Sequence, residues 1–290
     1  HKPDVSYYGG DTGEPIRVCT PTGEGYVCGT SFAAPWITRK IAYLIHNMGF
    51  SREVAKALII DSAAGWDRQD DMSHSIGYGV VPIKIEDIVK SPNDEIRFIM
   101  TGVAEKYETY TYNIPVPVSN DKQPFFAKAT LCYFPRCSRN QGVDYTDTEM
   151  DIHFGRIKET PKGVQIVDIN ENIQDERGQV GVYEGPARNL YRKWDNIKHI
   201  SEKVKERKVP KMKYGIGNWG LSIKTKERLT KKIDKEMPFG LVITLKEMFG
   251  QNRIDDFIKL CMARGWIVNR IDIDHRIDVY NKAEEEVHFD

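Results

Sequence analysis

No apolar run in this sequence approaches the ~18 residues of a membrane-spanning helix, so membrane is not expected among its partners. An excess of either charge is also missing: lysine plus arginine number 42, and aspartate plus glutamate number 42. With no global field, composition gives no argument for nucleic acid, an anionic surface or an acidic substrate. No signal peptide is visible at the start of the sequence, where no apolar core follows a basic opening, and this says little about the parent polypeptide. The chain opens on His1-Lys2-Pro3-Asp4 without an initiator Met, as expected of a piece of a longer polypeptide. Internal repeats and low-complexity tracts are lacking too. Cysteine is sparse and odd in number, with Cys19, Cys28, Cys132, Cys137 and Cys261. That count does not suggest a disulfide scaffold at this length. Cys132 and Cys137 are too far apart for a C-x-x-C site, and no second pair complements them. Reduced thiols and a cytoplasmic location are the expectation, with secretion as the alternative.

What is present is ordinary for a globular protein: 40% hydrophobic and 29% charged residues over 290 positions. The length suggests roughly two domains of ~150 residues. Residues 31–47 read as a helix, with Ile37, Ile41, Leu44 and Ile45 on one face. Gly49 suits its C-terminal cap. Ser51 can cap a second helix running to Ala63, on which Val54, Ala57 and Leu58 keep helical spacing. "SIGYGVVPIKIEDIVKSP" reads as a turn, a short strand and a short helix ending at Pro92. Character changes near Asn93. "IRFIMTGVAEKYETYTYNIPVPV", "FFAKATLCYF" and "TEMDIHFGRI" alternate with a period of two between turn clusters, the pattern of an antiparallel sandwich or barrel. "WGLSIKTKERL" and "FGLVITLKEM" add strands, residues 252–264 a helix and "GWIVNRIDI" a last strand. The basic run "KHISEKVKERKVPKMK" alternates with glutamates and reads as a solvated helix or loop.

The chemistry-bearing stretch is "YVCGTSFAAPW", residues 26–36, where small residues crowd around Ser31. A serine hydroxyl attacks a carbonyl only when a base takes its proton and donors hold the resulting oxyanion. At a helix N-terminus its backbone N–H is unpaired and lies beside the positive end of the dipole. Gly29 permits a tight turn, Thr30 can bond locally, and Pro35 falls in the first turns, where a missing N–H costs least. A plain helix cap is the competing reading of the same serine.

"GTSFAAP" resembles the G-T-S-x-A-x-P nucleophile motif of the subtilisin-like serine peptidases, the subtilases. Upstream, "HKPDV" is similar to the K-P-D-V stretch of that family. Downstream, "SREVAKALIIDSA" and "GYGVVPIKIEDIV" are similar to a helix and to the Gly-Tyr-Gly-Val-Val segment that closes its catalytic domain. The resemblance implies an α/β catalytic domain, here its C-terminal portion over residues 1–93. It implies a serine endopeptidase acting on polypeptide through an acyl-enzyme on Ser31. The Ser31 backbone N–H becomes one oxyanion donor, and Gly29, Thr30, Ala33 and Pro35 support the motif. The family's triad runs Asp, His, Ser along the chain. Asp4, Asp11 and His1 precede Ser31 without lying in a family Asp or His motif, and the side-chain oxyanion Asn has no counterpart either. The resemblance thus implies a missing N-terminal part of the catalytic domain as partner, and a chain that is inactive alone. Apolar surface on Ile37, Ile41 or Leu44 is expected to be left uncovered. Two departures stand out: Ser6-Tyr7-Tyr8-Gly9-Gly10 replaces an Ala-Pro-Gly turn, and Trp36 replaces a common His. A catalytically inactive relative acting as an interaction module is the alternative.

Residues 94–290 look like the β-sandwich or jelly-roll domain that follows the catalytic domain in some subtilases. "ATLCY" resembles its A-T-L-x-W strand, Thr148–Ile152 its N-D-L-D-L strand, "KWDNIKHI" its D-N segment and "FGLVITLKE" its final strand. In a strand, Glu149, Asp151 and His153 share one face and Met150, Ile152 and Phe154 the other. The acidic face reads as solvated, which leaves Asp144 and Asp147 as candidates for calcium; no other cofactor is expected. His46 reads as packed or capping, and Trp194, Trp219 and Trp266 as core or edge-packing residues.

Overall fold

The computed structural model describes residues 2–65, 73–105, 109–114, 125–137, 146–161, 163–168, 194–204, 219–227, 236–247, 249–250, 252 and 254–265. They form two compact units, one from residues 2–65 and 73–90 and the other from residue 91 onward. "GWIVNRIDI", apart from Gly265, the acidic tail, Trp266 and Asp144 lie outside the described residues.

In the first unit, strands β1 (Ile16–Thr20) and β2 (Gly23–Val27) form an antiparallel hairpin. Thr20 Oγ1 donates to the Gly23 carbonyl at 2.9 Å to close the turn. Helices α1 (Thr30–His46) and α2 (Arg52–Ala63) follow and pack together. Ser51 caps α2, its Oγ accepting the Val54 N–H at 3.3 Å, and Gly49 takes a φ of 74° just past α1. Val54, Ala55, Ala57, Leu58, Ile59 and Ile60 of α2 are all buried, each large side chain contributing ~1.5–3 kcal/mol. Leu44 is not left uncovered: it is fully buried, with Tyr43 and Lys40, on the face of α1 that meets this unit's own core. Ile37 and Ile41 are half-buried. The exposed large apolar side chains of this unit are instead Tyr8, Tyr26, Phe32, Val80 and Ile83.

Two short helices complete the unit, α3 (Ser73–Ile76) and α4 (Ile85–Val89). Between them the expected strand is reduced to single bridges, Ser6 to Val80 and Ala64 to Gly79. The Tyr78 N–H donates to the Asp4 carbonyl at 2.8 Å, and the Ser6 N–H to Gly79 at 2.9 Å. The "KPDV" and "GYGVV" segments, far apart in sequence, are therefore neighbours. Asp4 is held from both sides, by Lys2 at 2.7 Å and Lys56 at 3.3 Å. Burial pushes its carboxyl up, but the two lysines outweigh burial and hold it below the usual carboxylate range. The contribution of such a lowered group is complete above the ordinary aspartate pKa and is lost as pH falls through its folded value. Thermal melts below about pH 4 are expected to show this unit losing stability more steeply in the wild type than in Asp4→Asn. An unchanged acid limb in the variant counts against this role for Asp4.

The second unit holds two four-stranded antiparallel sheets. One has the order β3 (Glu95–Ala104), β10 (Met237–Glu247), β5 (Phe125–Tyr133), β8 (Ile197–Val204). The other has the order β4 (Thr109–Ile114), β9 (Trp219–Glu227), β6 (Thr148–Thr160), β7 (Gly163–Asp168). One apolar core joins them. Alternate residues of β5 and β10 (Ala129, Leu131, Leu241, Ile243) and of β6 and β9 (Ile152, Phe154, Leu221, Ile223) enter it. Trp219 packs there against Phe154, ring centroids 5.9 Å apart. Tyr133, buried at the end of β5, donates its hydroxyl to the Asp195 carbonyl and its N–H to that of Asn196. Helix α5 (Ile254–Ala263) rests Phe257 on Phe98 of β3.

Two expectations need correction. The start of the "KHISEKVKER" run is strand β8 rather than a helix or loop, because its ladder with β5 pairs every residue from Ile197 to Val204. The acidic face of β6 is not solvated: Glu149 and Asp151 are buried, both beside buried Lys198. Asp147 is buried as well, and its Oδ1 accepts the Arg136 N–H at 3.0 Å.

Candidate functional site

The path into Ser31 is built by two backbone segments. Gly29 caps α1 with φ 147° and ψ 160°, a region essentially restricted to glycine. Its N–H donates to the Gly9 carbonyl at 2.7 Å. Thr30 is then the first helical residue and Ser31 the second. Both are exposed. The Phe32 N–H turns back to the Gly29 carbonyl at 3.0 Å. Among the described residues, neither the Ser31 hydroxyl nor its N–H has a hydrogen-bond partner. No acidic side chain lies in the first turn to neutralise the dipole. Ala33 is half-buried behind the turn, and exposed Ala34 adds no bulk over it.

Pro35 is the sixth residue of α1 and so lies beyond its first turn. Its absent N–H is the one that the Ser31 carbonyl would accept in a regular helix. The proline therefore releases the Ser31 carbonyl from the helical ladder.

The segment that departs from the family pattern turns out to brace the site. Ser6 bonds to Gly79 and Val81, Tyr8 donates its hydroxyl to the Glu14 carbonyl, and Gly9 receives Gly29. Tyr7 lies under Lys40, whose Nζ is 5.6 Å from the ring centroid. Lys40 is fully buried in the middle of α1 and also donates to the Ile83 carbonyl. Neither Gly9 nor Lys40 stands out in the sequence as a site residue. The Gly9-Gly10 pair is the available signal, because adjacent glycines mark close backbone approach.

Gly9 yields a direct expectation. A Cβ at this position meets the Gly29 carbonyl oxygen at 2.7 Å. Gly9→Ala must displace the turn before Ser31 by several tenths of an ångström; a misplacement of about 1 Å in a reacting group costs on the order of 10²-fold in rate, so a slowing of up to that size is expected. Reaction of Ser31 with a serine-directed probe, measured in the polypeptide that carries this chain and its upstream part, should slow accordingly. A rate equal to wild type in the folded variant shows that the turn does not position Ser31.

The other residues of the expected chemistry are not at the serine. Asp4 is tied to Lys2 and Lys56. Asp11 caps its own turn, its Oδ1 accepting the Gly13 and Glu14 N–H groups at 2.7 Å each; those two bonds, Glu14's first, hold its carboxyl low. His46 ends α1, 15 positions from Ser31 and so about 22 Å along the axis. His1 lies outside the described residues. The arrangement thus leaves the Ser31 hydroxyl exposed beside its backbone N–H, and the described residues bring neither a base nor an orienting carboxylate to them.

Residues 1–79 match the model of the Subtilase family. Over that stretch the chain is similar to the subtilisin-like serine peptidases. No curated protein matches the sequence. Among solved structures, the acidic stable capsid structure of Helicobacter pylori bacteriophage KHP30 is similar at 10% identity, covering 52% of this chain and 90% of that one, with a TM-score of 0.23. A likeness of that size carries no argument about fold or function.

Proposed function

Starting from the subtilase relationship of residues 1–79, we propose that this chain carries the nucleophile end of a subtilisin-like serine endopeptidase. Ser31 is the residue acylated by the scissile carbonyl, and its backbone N–H is one donor to the oxyanion. Gly29, Thr30, Ala33 and Pro35 shape the approach. The base, the orienting aspartate and the side-chain oxyanion donor come from polypeptide upstream of these 290 residues, and the chain alone is inactive. The two-sheet unit after residue 90 is an accessory domain of jelly-roll type, consistent with the way successive strands divide between its sheets. Polypeptide is the substrate.

The single observation behind the reading is the exposed, unpartnered Ser31 at the start of α1, behind a glycine whose conformation other residues avoid. The test is to label the polypeptide carrying this chain and its upstream part with a fluorophosphonate and map the modified peptide. Modification at Ser31 supports the assignment. Modification elsewhere defeats it, and no modification favours the inactive, interaction-module reading.

A further inference from the structure

Lys198 of β8 reaches from one sheet to the other. Its side chain is 0% exposed, and those of Glu149 and Asp151 on β6 are 1% and 2% exposed. Its Nζ lies 3.4 Å from Glu149 Oε1 and 3.5 Å from Asp151 Oδ1. The ladders explain the meeting. β6 pairs with β9 from Thr148 onward but with β7 only from Gly155. Among the described residues, then, the stretch 148–154 is open on one side. β8, the end strand of the other sheet, packs against β6. Lys198 stands opposite Leu131 of β5, a core residue, and is itself fully buried.

Charges removed from water are costly unless closely compensated. An amide made from the lysine and one carboxyl has the same reach and no charge. We propose that Lys198 and Asp151 condense to an intramolecular amide that ties β8 to β6, with Glu149 carrying the protons. A proton passes from the ammonium to the Asp151 carboxylate, giving an amine and a carboxylic acid. The amine lone pair adds to Asp151 Cγ, forming the Nζ–Cγ bond. Glu149 takes a proton from Nζ and delivers it to the departing hydroxyl; the Cγ–O bond breaks and water leaves. Atoms balance with no oxidant, reductant or co-reactant. Contact within 3.5 Å in a packed interior supplies the effective concentration that such a slow step needs. The two carboxylates have distinct tasks, which is why two share one lysine.

Intact-mass measurement of the purified, denatured and reduced 290-residue chain decides it. The expected mass is below that of the sequence by one water. Tryptic digestion should then give one branched peptide joining the Asp151 and Lys198 segments. Glu149→Gln and Lys198→Arg are expected at their own full masses. A wild-type chain at full sequence mass overturns the proposal on its own, whether or not the variants fold. So does a water loss that persists in Lys198→Arg, or a branch that maps to Lys224, the exposed lysine opposite Asp151 in the β9 ladder.

Discussion

Replacing Ser31 by alanine in the polypeptide that carries this chain is expected to reduce turnover of a peptide substrate by on the order of 10⁶. That magnitude is the loss known for the nucleophile of subtilisin, a member of the related family, and is carried over from it. The structural reasons are local. The Ser31 side chain is exposed and has no partner among the described residues, so its removal leaves no buried group unsatisfied. Alanine is also a better helix former than serine. Stability should therefore be unchanged or slightly raised while the chemistry disappears, with KM little affected. This separation identifies a nucleophile. A fall in activity that tracks a fall in melting temperature instead points to a structural serine.

Gly79→Ala is expected to have the largest effect on stability. Gly79 has φ 144°, and a Cβ added there lies 2.1 Å from the Ala63 carbonyl oxygen. Backbone strain at such a φ costs ~1–3 kcal/mol, and forcing an atom into a packed site costs another ~1–3 kcal/mol. A loss of about 4 kcal/mol from the first unit follows, enough to unfold most marginal domains. Gly77 is constrained in the same way: its φ is 65°, and its Cβ position is 2.3 Å from the Pro3 carbonyl oxygen. The glycines of "GYGVV" are thus explained without reference to catalysis. They let one strand-like segment pass over the backbone of "KPDV" and of the α2 terminus. Chemical denaturation with and without Gly79→Ala measures the effect. A loss below about 1 kcal/mol shows that the segment has room to shift.

Helices are the most legible elements. The spacing of Ile37, Ile41 and Leu44 and the capping serine at Ser51 place α1 and α2 within a residue or so of where they lie. The hairpin Ile16–Val27 is not among the elements expected from the sequence, although Ile16 and Val18 alternate and Pro21-Thr22-Gly23 signals a turn. Its strands are only five residues each and half exposed, so their pattern is faint beside the motif at Ser31. β8 is obscured because charge dominates its composition, and only the partner strand β5 makes Ile197 and Ile200 core residues. For the same reason the burial of Glu149 and Asp151 cannot be read from alternation. Period two assigns them to a face, and it is the arrival of Lys198 from the other sheet that buries that face. At the serine, the motif points to Ser31 and Gly29, whereas Gly9 and Lys40 act through backbone proximity and a long-range contact that no local pattern carries.

The most direct measurement compares fluorophosphonate labelling of the 290-residue chain alone with labelling of the same chain joined to its upstream polypeptide. Rapid labelling of the joined form at Ser31, together with near-background labelling of the isolated chain, is the expected result. Equal rates in the two forms contradict the claim that the partners of Ser31 lie upstream, and a joined form that does not label contradicts the claim that Ser31 is a nucleophile at all.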